Sequence, residues 1–282
     1  MSILIENLSY VYMAGTPYEK KALDNINLKI DNGEFVAIIG HTGSGKTTLV
    51  QHLNGLIMPQ KGQILIDGKK AEKASLKELR RKVGIVFQYP ESQLFEETVR
   101  ADIAFGLNKL GLNKGELDSR INDAVKIVGL DKKILEVSPF ELSGGQKRRV
   151  AIAGVISMEP EILILDEPAA GLDPKGKREI MEFIEKIHKE RNITVILISH
   201  SMDDVAKLAK RVVVMKNGTI LSDGETRKIL GNIEFIESMG LIAPQITYLM
   251  RELGKRFPGI RKDILNVDEA YGEILKYIKD KE

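Results

Sequence analysis

A glycine-rich loop follows five consecutive apolar residues, and this arrangement constrains the fold more than any other feature of the sequence. Phe35–Ile39 is apolar throughout, as in a parallel strand that is covered on both faces. A strand, such a loop and then a helix place several backbone N–H groups around an anion at the helix N-terminus. The pattern therefore predicts an α/β fold with a phosphate-binding loop. The loop fits GxxxxGK[ST] and consists of Gly40, His41, Thr42, Gly43, Ser44, Gly45, Lys46 and Thr47.

The residue types in this loop indicate that the anion is a nucleoside triphosphate. Glycine lets the backbone approach the phosphates without a Cβ in the way. We expect Lys46 to reach the β- and γ-phosphates and the Thr47 hydroxyl to hold Mg²⁺. Thr48 is the last residue of the predicted nucleotide contact. A chance match is the alternative, and the position directly after a buried strand disfavours it.

Composition excludes several classes of function. The chain has 42 Lys and Arg against 40 Asp and Glu, a net charge of +2, whereas general nucleic-acid binders show a concentrated basic excess. It has no cysteine, which excludes disulfides, thiolate zinc sites and cysteine nucleophiles. No apolar run approaches the roughly 18–20 residues that span a bilayer. We therefore expect a soluble chain whose role at a membrane would come through a partner.

Hydrophobic patterns divide the chain into a nucleotide-binding core, an inserted helical segment and a tail. Strand patterns, with apolar runs or alternation, occur at 3–67, 162–165, 195–198 and 212–215. Helical patterns and loops dominate between about 89 and 160. We predict a nucleotide-binding domain over 1–230 with this helical subdomain inside it, and a C-terminal helical extension over 231–282.

Two carboxylates stand at the end of another buried strand pattern. Asp166 and Glu167 directly follow the apolar residues Ile162–Leu165. Parallel α/β sheets bind ligands at the C-terminal ends of their strands. We expect Asp166 to complete the Mg²⁺ shell, directly or through water, and Glu167 to polarise the water that attacks the γ-phosphorus. The alternative is a strand that simply ends in charged residues.

His200 ends the next apolar strand pattern and is predicted to reach the same edge of the sheet. A lone histidine is more often a packed or capping residue than a catalytic one. At this edge, however, a sensor of the γ-phosphate is needed, and this favours a functional role. His52 and His188 have no comparable context, and we interpret them as structural.

A second glycine-containing segment, Leu142–Gln146 with the sequence LSGGQ, comes directly before the helical pattern at 147–153. Ser143 and Gly145 therefore lie at a second helix N-terminus that can bind phosphate. A chain with both this segment and the loop at 40–47 resembles an ATP-binding cassette (ABC) ATPase. The resemblance implies a P-loop NTPase (RecA-like) core, an antiparallel β subdomain, an inserted α-helical signature subdomain and a short helical C-terminal extension.

The family resemblance also implies a two-subunit reaction. ABC ATPases pack two subunits head to tail, so that each ATP contacts Lys46 of one subunit and Ser143 of the other. Four residues of the second segment are thereby predicted to bind ATP: Ser143, Gly144, Gly145 and Gln146. Asp173 matches the D-loop, which touches the opposite subunit. ATP hydrolysis then drives opening of the closed dimer.

Three further roles follow from the resemblance alone. Gln88 matches the glutamine that contacts Mg²⁺ and the attacking water, and His200 matches the switch histidine of the family. Tyr12 lies where the family stacks an aromatic ring on adenine, and Tyr10 is a nearby competitor. For either tyrosine the alternative is an aromatic side chain on a strand surface.

Three segments resemble a narrower group within this family. Phe87–Phe95, Lys147–Gly154 and Asp166–Gly176 are similar to the ATPase subunits of energy-coupling factor transporters, which include cobalt and nickel importer ATPases. The similarity extends from about residue 1 to 230 and departs at Ala169, where threonine is frequent. It implies ATP hydrolysis that powers uptake of a micronutrient, either a vitamin or a transition-metal ion.

The same resemblance implies a set of partners and no nucleic acid. The partners are a second ABC ATPase subunit, identical or paralogous, a membrane coupling protein and a substrate-binding membrane protein. The chain would then lie peripherally on the cytoplasmic face of the cell membrane. Tyr89–Phe95, with exposed Leu94 and Phe95 beside Glu91, is predicted to dock the coupling helices. The alternative is a loop that packs on its own helical subdomain.

The tail shows two apolar stripes at helical spacing, the first from Ile246 to Leu253 and the second from Val267 to Ile278. In the family this region often joins the two ATPases, which predicts a dimer contact. The stripes also fit a tail that covers its own core or the nucleotide-binding domain.

Besides transport, two other functions are compatible with an ABC cassette. One is a non-transport cassette that acts on nucleic acid or ribosomes, and the other is a regulatory binder that hardly turns over. Non-transport cassettes usually show paired cassettes, long coiled-coil insertions or cysteine-rich modules, and the sequence has none of these. Glu167, His200, Gln88 and the LSGGQ segment are all intact, which disfavours a non-hydrolytic binder. A different class of ABC transporter is the remaining alternative.

Overall fold

This computed structural model describes residues 2–279, which form two β-sheets and the helices around them. The strands are β1 Ile3–Tyr12, β2 Lys20–Ile30, β3 Phe35–Ile39, β4 Lys61–Ile66, β5 Lys69–Lys70, β6 Val83–Val86, β7 Ile162–Asp166, β8 Thr194–Ile198, β9 Arg211–Lys216 and β10 Thr219–Glu225. The helices are α1 Lys46–Leu53, α2 Leu76–Lys82, α3 Val99–Leu107, α4 Lys114–Ile127, α5 Gly144–Ser157, α6 Pro174–Arg191, α7 Met202–Leu208, α8 Thr226–Leu230, α9 Ile233–Ser238, α10 Gln245–Arg256 and α11 Val267–Lys279.

The larger sheet has six strands in the order β10-β9-β3-β8-β7-β6. Its five strands from β9 to β6 are parallel, and β10 pairs antiparallel with β9. Every residue of β3, β7 and β8 is buried, as expected for strands covered on both faces. The apolar runs predicted as strands at 35–39, 162–165 and 195–198 are confirmed. Because β8 lies between β3 and β7, the chain segments that follow these three strands meet at one edge.

The smaller sheet is antiparallel, with the order β2-β1-β4-β5. The predicted alternation in β2 is confirmed, since Ile26, Leu28 and Ile30 are buried while Asn27 and Lys29 are exposed. The buried face packs on the same core as α1 and one face of β3. The pleat of β3 explains this arrangement, because Val36 and Ile38 enter that core while Ala37 and Ile39 enter the core on the opposite face.

The segment between 89 and 160 contains α3, α4 and α5, and the limits of the helical subdomain stay a prediction. Each helix begins at a side-chain cap that satisfies a free backbone N–H. Thr98 caps α3, Asn113 caps α4 in a capping box with Glu116, and Ser143 caps α5 in a capping box with Gln146. Buried side chains from all three helices join the main core, among them Ile103, Leu107, Ile121, Val125 and Ile156.

The tail forms the two predicted helices, α10 and α11, around a small core of its own. That core contains Met250, Ile260, Ile264 and Ala270. In contrast, Ile233 and Ile236 of α9 pack into the main core. The domain boundary at 230/231 stays a prediction, and the predicted limits at residue 1 and at 280–282 lie outside the described residues. Within residues 2–279 no helix is long and apolar enough to cross a membrane.

We expect truncation of Ile164 to destabilise the fold strongly. This side chain is 0% exposed in β7, and its removal leaves a cavity between the larger sheet and the α1 layer. Ile164→Ala should lower the free energy of unfolding by about 2–5 kcal/mol in a urea titration. The matched control is Ile242→Ala, because Ile242 is 74% exposed, and its effect should stay within about 0.5 kcal/mol. Equal losses for the two variants would contradict the described core.

Candidate active site

The loop at 40–47 joins β3 to α1 and leaves the N-terminus of α1 open to an anion. Gly45, at the N-cap position, makes no side-chain cap hydrogen bond, so the first N–H groups of the helix have no side-chain partner. Gly40 has φ of 152°, and a Cβ there would lie 2.2 Å from the Met215 carbonyl oxygen. At Gly45 a Cβ would lie 2.6 Å from the Ala22 carbonyl oxygen. Only glycine fits at these two positions, which keeps the backbone close to the place where phosphates bind.

The Lys46 side chain is buried inside this loop. Its Nζ donates hydrogen bonds to the carbonyl oxygens of Gly40 at 2.8 Å and His41 at 3.0 Å. Burial lowers the pKa of Lys46, and the nearby carboxylates of Glu167 and Asp166 oppose that shift. A cation is thereby held at the loop, within the electrostatic reach of the predicted catalytic carboxylate, Glu167, and of the predicted Mg²⁺ ligand, Asp166.

Thr47 and Asp166 meet across the sheet edge, although 119 positions separate them in the sequence. The Thr47 hydroxyl donates to Asp166 Oδ2 at 2.9 Å. Burial raises the pKa of Asp166, the hydrogen bond from Thr47 counteracts the shift, and the neighbouring charge of Glu167 adds to it. A hydroxyl and a carboxylate are hard oxygen donors of the kind that Mg²⁺ takes in phosphate sites.

Two predicted catalytic residues, Gln88 and His200, converge on the carboxylate of the third, Glu167. Gln88 Nε2 donates to Glu167 Oε2 at 3.0 Å, and His200 Nε2 lies 2.8 Å from Glu167 Oε1. The backbone of Glu167 is left-handed, with φ of 51°, and its N–H donates to the Ile198 carbonyl oxygen at 3.0 Å. The turn fixes the carboxylate at the ends of β7 and β8, while its side chain stays 21% exposed and accessible to water. A carboxylate in this position can accept a proton.

The structure distinguishes between the two tyrosines of β1. Tyr12 lines a cavity of about 140 Å³ beside the loop, and its hydroxyl lies 3.3 Å from Thr48 Oγ1. Tyr10 is half-buried and packs against the core between the sheets, where its ring lies edge-on to both His52 and Tyr12. Tyr12 is therefore the tyrosine next to the loop. The remaining lining residues are Lys20, Ala22, Gly43, Gly45, Lys46 and Thr47.

The structure does not bring the LSGGQ segment to the loop of its own chain. Ser143 and Gln146 bond each other at the exposed N-terminus of α5, and no hydrogen bond among residues 2–279 joins this segment to the loop. A Cβ added at Gly144 or Gly145 would meet no atom within 4 Å, so the approach to this helix end is open. Asp173 caps α6 by accepting a hydrogen bond from the Gly176 N–H at 2.7 Å. Its carboxylate is exposed as well.

A groove of about 470 Å³ lies between α3, α5 and the end of β6. Phe95 is 58% exposed there and contacts Phe105 edge-on, with ring centroids 5.0 Å apart. The expectation that Leu94 is exposed was wrong, because its side chain is half-buried and packs against the main core. The groove also contains Asp102, a residue that the sequence patterns did not single out.

Asp102 has one carboxylate oxygen with a partner and one without. Oδ1 accepts hydrogen bonds from the backbone N–H groups of Phe95 at 3.2 Å and Glu96 at 3.4 Å. Oδ2 is buried, and no donor of the described residues reaches it. Burial raises the pKa of Asp102. A buried acceptor without a partner is costly, and no donor of the described residues offsets that cost.

Arg148 is the second residue that the sequence analysis missed. Its side chain is only 2% exposed, and it donates to Glu91 and to two carbonyl oxygens that follow Glu167. The signal for it was present, since Arg148 lies four and eight positions before Ile152 and Ile156, on the buried stripe of α5. A charged residue on an apolar stripe indicates a buried ion pair.

Comparison with known proteins agrees with this geometry. Residues 23–170 match the family model described as ABC transporter. The energy-coupling factor transporter ATP-binding protein EcfA2 of Acetivibrio thermocellus is 58% identical over 279 residues, which are 99% of both chains. The protein of the same name from Clostridium tetani is 58% identical over 284 residues, with 100% of this chain and 99% of the relative covered.

Solved structures give the same result at lower identity. The structure of cbiO1 from Clostridium perfringens, described as part of the ABC transporter complex cbiONQ, is 41% identical with a TM-score of 0.75, and covers 88% of this chain and 98% of its own. The cassette MJ0796, solved as a dimer in a post-hydrolysis state with ADP and Pi, is 30% identical with a TM-score of 0.72 and covers 79% and 98%. The chain therefore belongs to the ABC transporter ATPases, among the ATP-binding proteins of energy-coupling factor transporters.

Proposed function

We propose that this chain is one of two ATP-hydrolysing subunits of an energy-coupling factor transporter and, with Mg²⁺, powers uptake of a micronutrient, a vitamin or a transition-metal ion. The observation that carries the proposal is the convergence of Gln88 and His200 on the Glu167 carboxylate, next to the Thr47–Asp166 pair. These residues come from four separate segments, and together they supply the groups that phosphoryl transfer to water requires. The full-length similarity to transporter ATP-binding proteins supports the same function.

Mg²⁺ would be held by Thr47, Asp166 and Gln88. Their oxygen donors are of the kind that this ion takes, and the phosphates of the substrate would supply further oxygen ligands. Bound there, the ion supplies charge neutralisation on the β- and γ-phosphates. Lys46 and the open N–H groups of α1 stabilise the same phosphates from the loop side. Tyr12, beside Thr48, offers its ring to the adenine.

Glu167 acts as the general base in this proposal. It accepts a proton from water while the water oxygen bonds to the γ-phosphorus, and the bond between that phosphorus and the ADP oxygen breaks. The products are ADP and inorganic phosphate. Gln88 and His200 each contact one Glu167 oxygen, and each carboxylate oxygen can accept a second hydrogen bond, so water can bond to Glu167 beside these contacts. His200 would also contact the γ-phosphate and so connect it to the general base.

A second subunit completes the nucleotide site. The exposed N-terminus of α5 presents Ser143, Gly144, Gly145 and Gln146 to the ATP that is bound on the opposite subunit's loop. Asp173 lies on an exposed turn and contacts the opposite subunit. Each ATP then stabilises the closed dimer as a ligand shared by two chains, and hydrolysis removes that stabilisation. The dimeric state of the related cassette MJ0796 supports this arrangement.

The groove beside α3 is proposed as the docking site of a membrane coupling protein, which a separate substrate-binding membrane protein joins. Exposed Phe95 and Phe105 offer apolar contact along this groove. This chemistry fits an apolar helical segment of the partner. The chain would thus lie peripherally on the cytoplasmic face of the cell membrane. We propose no nucleic-acid partner, because the charges of the chain nearly balance.

The extension over 231–282 is proposed as a contact between the two ATPase subunits, and 1–230 as the nucleotide-binding domain. Several large apolar side chains of α10 and α11 are exposed in the single chain, among them Leu249, Val267, Tyr271 and Ile278. Exposed apolar side chains on adjacent helices are typical of an interface between subunits. This contact holds the two subunits together when the nucleotide sites are open.

Glu167→Gln is expected to abolish most ATP turnover and leave ATP binding intact. The amide keeps the size of the side chain and one acceptor oxygen but cannot accept the proton of water. Turnover should fall by about 100- to 10,000-fold, while the Kd for ATP changes less than about threefold. The measurements are phosphate release and equilibrium ATP binding, and sedimentation should show an ATP-trapped dimer. Glu190→Gln, on an exposed ion pair of α6, is the control with normal turnover. Full turnover in Glu167→Gln would remove Glu167 from its role.

Lys46→Ala is expected to lose ATP binding itself. The loop keeps its glycines but no longer offers a cation to the β- and γ-phosphates. Charge-assisted hydrogen bonds contribute about 1.5–3 kcal/mol, so the Kd for ATP should rise by at least about tenfold in a titration calorimetry experiment. Lys186→Ala, which removes a lysine exposed on α6, should bind ATP normally. Undiminished ATP affinity in Lys46→Ala would contradict the role of the loop.

Phe95→Ser is expected to weaken docking of the membrane partner without unfolding the chain. Phe95 is 58% exposed, so the substitution removes apolar contact from the groove and little from the core. The amount of multi-span membrane protein that co-purifies with the tagged chain should fall by about tenfold, since burial of such a side chain contributes about 1.5–3 kcal/mol. Phe140→Ser, at an exposed side chain that does not line the groove, is the matched control. Equal recovery with both variants would exclude Phe95 from docking.

A further inference from the structure

Arg148 ties three chain segments together from the second turn of α5. Its Nη2 and Nε donate to the two carboxylate oxygens of Glu91 at 2.7 and 2.9 Å. Its Nη1 donates to the carbonyl oxygens of Pro168 at 3.3 Å and Ala170 at 2.5 Å. The guanidinium carbon also lies 5.8 Å from the centroid of the Tyr89 ring. One side chain therefore joins the segment after Gln88, the signature helix and the turn after Glu167.

Arginine is suited to this position and lysine is not. A buried cation is strongly destabilising unless it is paired and its donors are satisfied. The planar guanidinium meets Glu91 bidentately and still has donors for two backbone oxygens, whereas an ammonium is a single point charge. Burial favours a raised pKa for Glu91, but its hydrogen bonds, above all from Arg148, outweigh burial and hold the pKa below its usual value. The pair is therefore ionised at neutral pH.

The hydrogen bonds of Arg148 and the hydrogen bond of Gln88 connect the same two turns. Gln88 precedes the left-handed residue Tyr89, with φ of 56°, and bonds Glu167, which precedes Pro168. On the other side of Tyr89, Glu91 is joined through Arg148 to the Pro168 and Ala170 carbonyls. The turn around Tyr89 and the turn that begins at Pro168 are thus linked at both of their ends, so a displacement of one strains the hydrogen bonds to the other.

We infer that Arg148 is a positioning residue, which couples the partner-facing segment Tyr89–Phe95 to the catalytic carboxylate of Glu167. It fixes the turn that begins at Pro168 and thereby the Glu167 backbone, and it transmits a displacement of Glu91 to that turn. The inference rests on the proposed role of Glu167 as general base. No hydrogen bond among residues 2–279 joins Arg148 to the nucleotide loop, so its loss acts on turnover and leaves ATP binding in place.

The test compares Arg148→Gln and Arg148→Lys in the full chain, purified from host membranes as the complex that it forms there. Arg148→Gln removes the charge and the bidentate guanidinium. The kcat should fall by about 10- to 100-fold, the cost of a misplacement of about 1 Å at a reacting group. The KM for ATP should change less than about twofold. Arg148→Lys keeps the charge, and its kcat should lie between those of the wild type and Arg148→Gln. If Arg148→Gln fails to fold, the kcat of Arg148→Lys still tests the inference.

Arg211→Gln is the control for a purely structural effect. Arg211 also pairs with two carboxylates, Glu34 and Asp223, but lies on β9 and touches neither turn. This variant should lower the thermal midpoint and leave kcat per folded molecule unchanged. If the Arg148 variants merely lower the thermal midpoint in the same way, with normal kcat, the inference is wrong.

A double-mutant cycle with Glu167→Gln separates the inference from the proposed function. If Arg148 acts through Glu167, Arg148→Gln should not reduce the residual turnover of Glu167→Gln any further, so the two effects are not additive. Additive losses would show that Arg148 acts elsewhere, and would overturn the inference while the role of Glu167 stands. Full turnover in Glu167→Gln alone would instead overturn the proposed function.

Discussion

The hydrogen bond between Thr47 and Asp166 joins the two halves of the nucleotide site, and the other features of the site depend on the same meeting of strand ends. It forms because β3 and β7 are parallel and both neighbour β8, so their C-terminal ends lie at one edge. Their buried apolar runs hold the strands in register. The loop after β3 supplies cationic and N–H groups, and the turn after β7 supplies carboxylates. A phosphate-transfer site follows from strand order before any ligand is bound.

Partial burial sets the electrostatics of this edge. It lowers the pKa of Lys46 and raises that of Asp166, and each charge opposes the shift of the other. Opposite charges in a poorly solvated site stabilise one another more than they would in water. Fixed charges in such an environment also stabilise the phosphates of a bound nucleotide more strongly than the same charges would in water. Glu167 differs, because its side chain stays accessible to water.

The sequence predicted the local elements well because their signals are local. Each local signal predicts one element: the alternation predicts β2, the apolar run predicts β3, and the glycine spacing predicts the loop that follows β3. The contacts of Arg148 with Glu91, Pro168 and Ala170 were not predictable, because they require the packing of α5 against two turns 57 and about 20 positions away. Asp102 and the burial of Leu94 depend on tertiary packing in the same way. Strand order, which brings Thr47 and Asp166 together, likewise cannot be predicted from hydrophobic periodicity.

Affinity purification tests most directly whether ATP hydrolysis at this sheet edge drives a transporter. The tagged full chain is purified from detergent-solubilised membranes of its host, and the proteins that accompany it are identified by mass spectrometry. We expect a multi-span coupling protein, a small substrate-binding membrane protein and a cassette ATPase, either a second copy or a paralogue. Recovery of soluble partners alone, such as ribosomes or DNA-repair proteins, would contradict the transport function while the ATPase site remained.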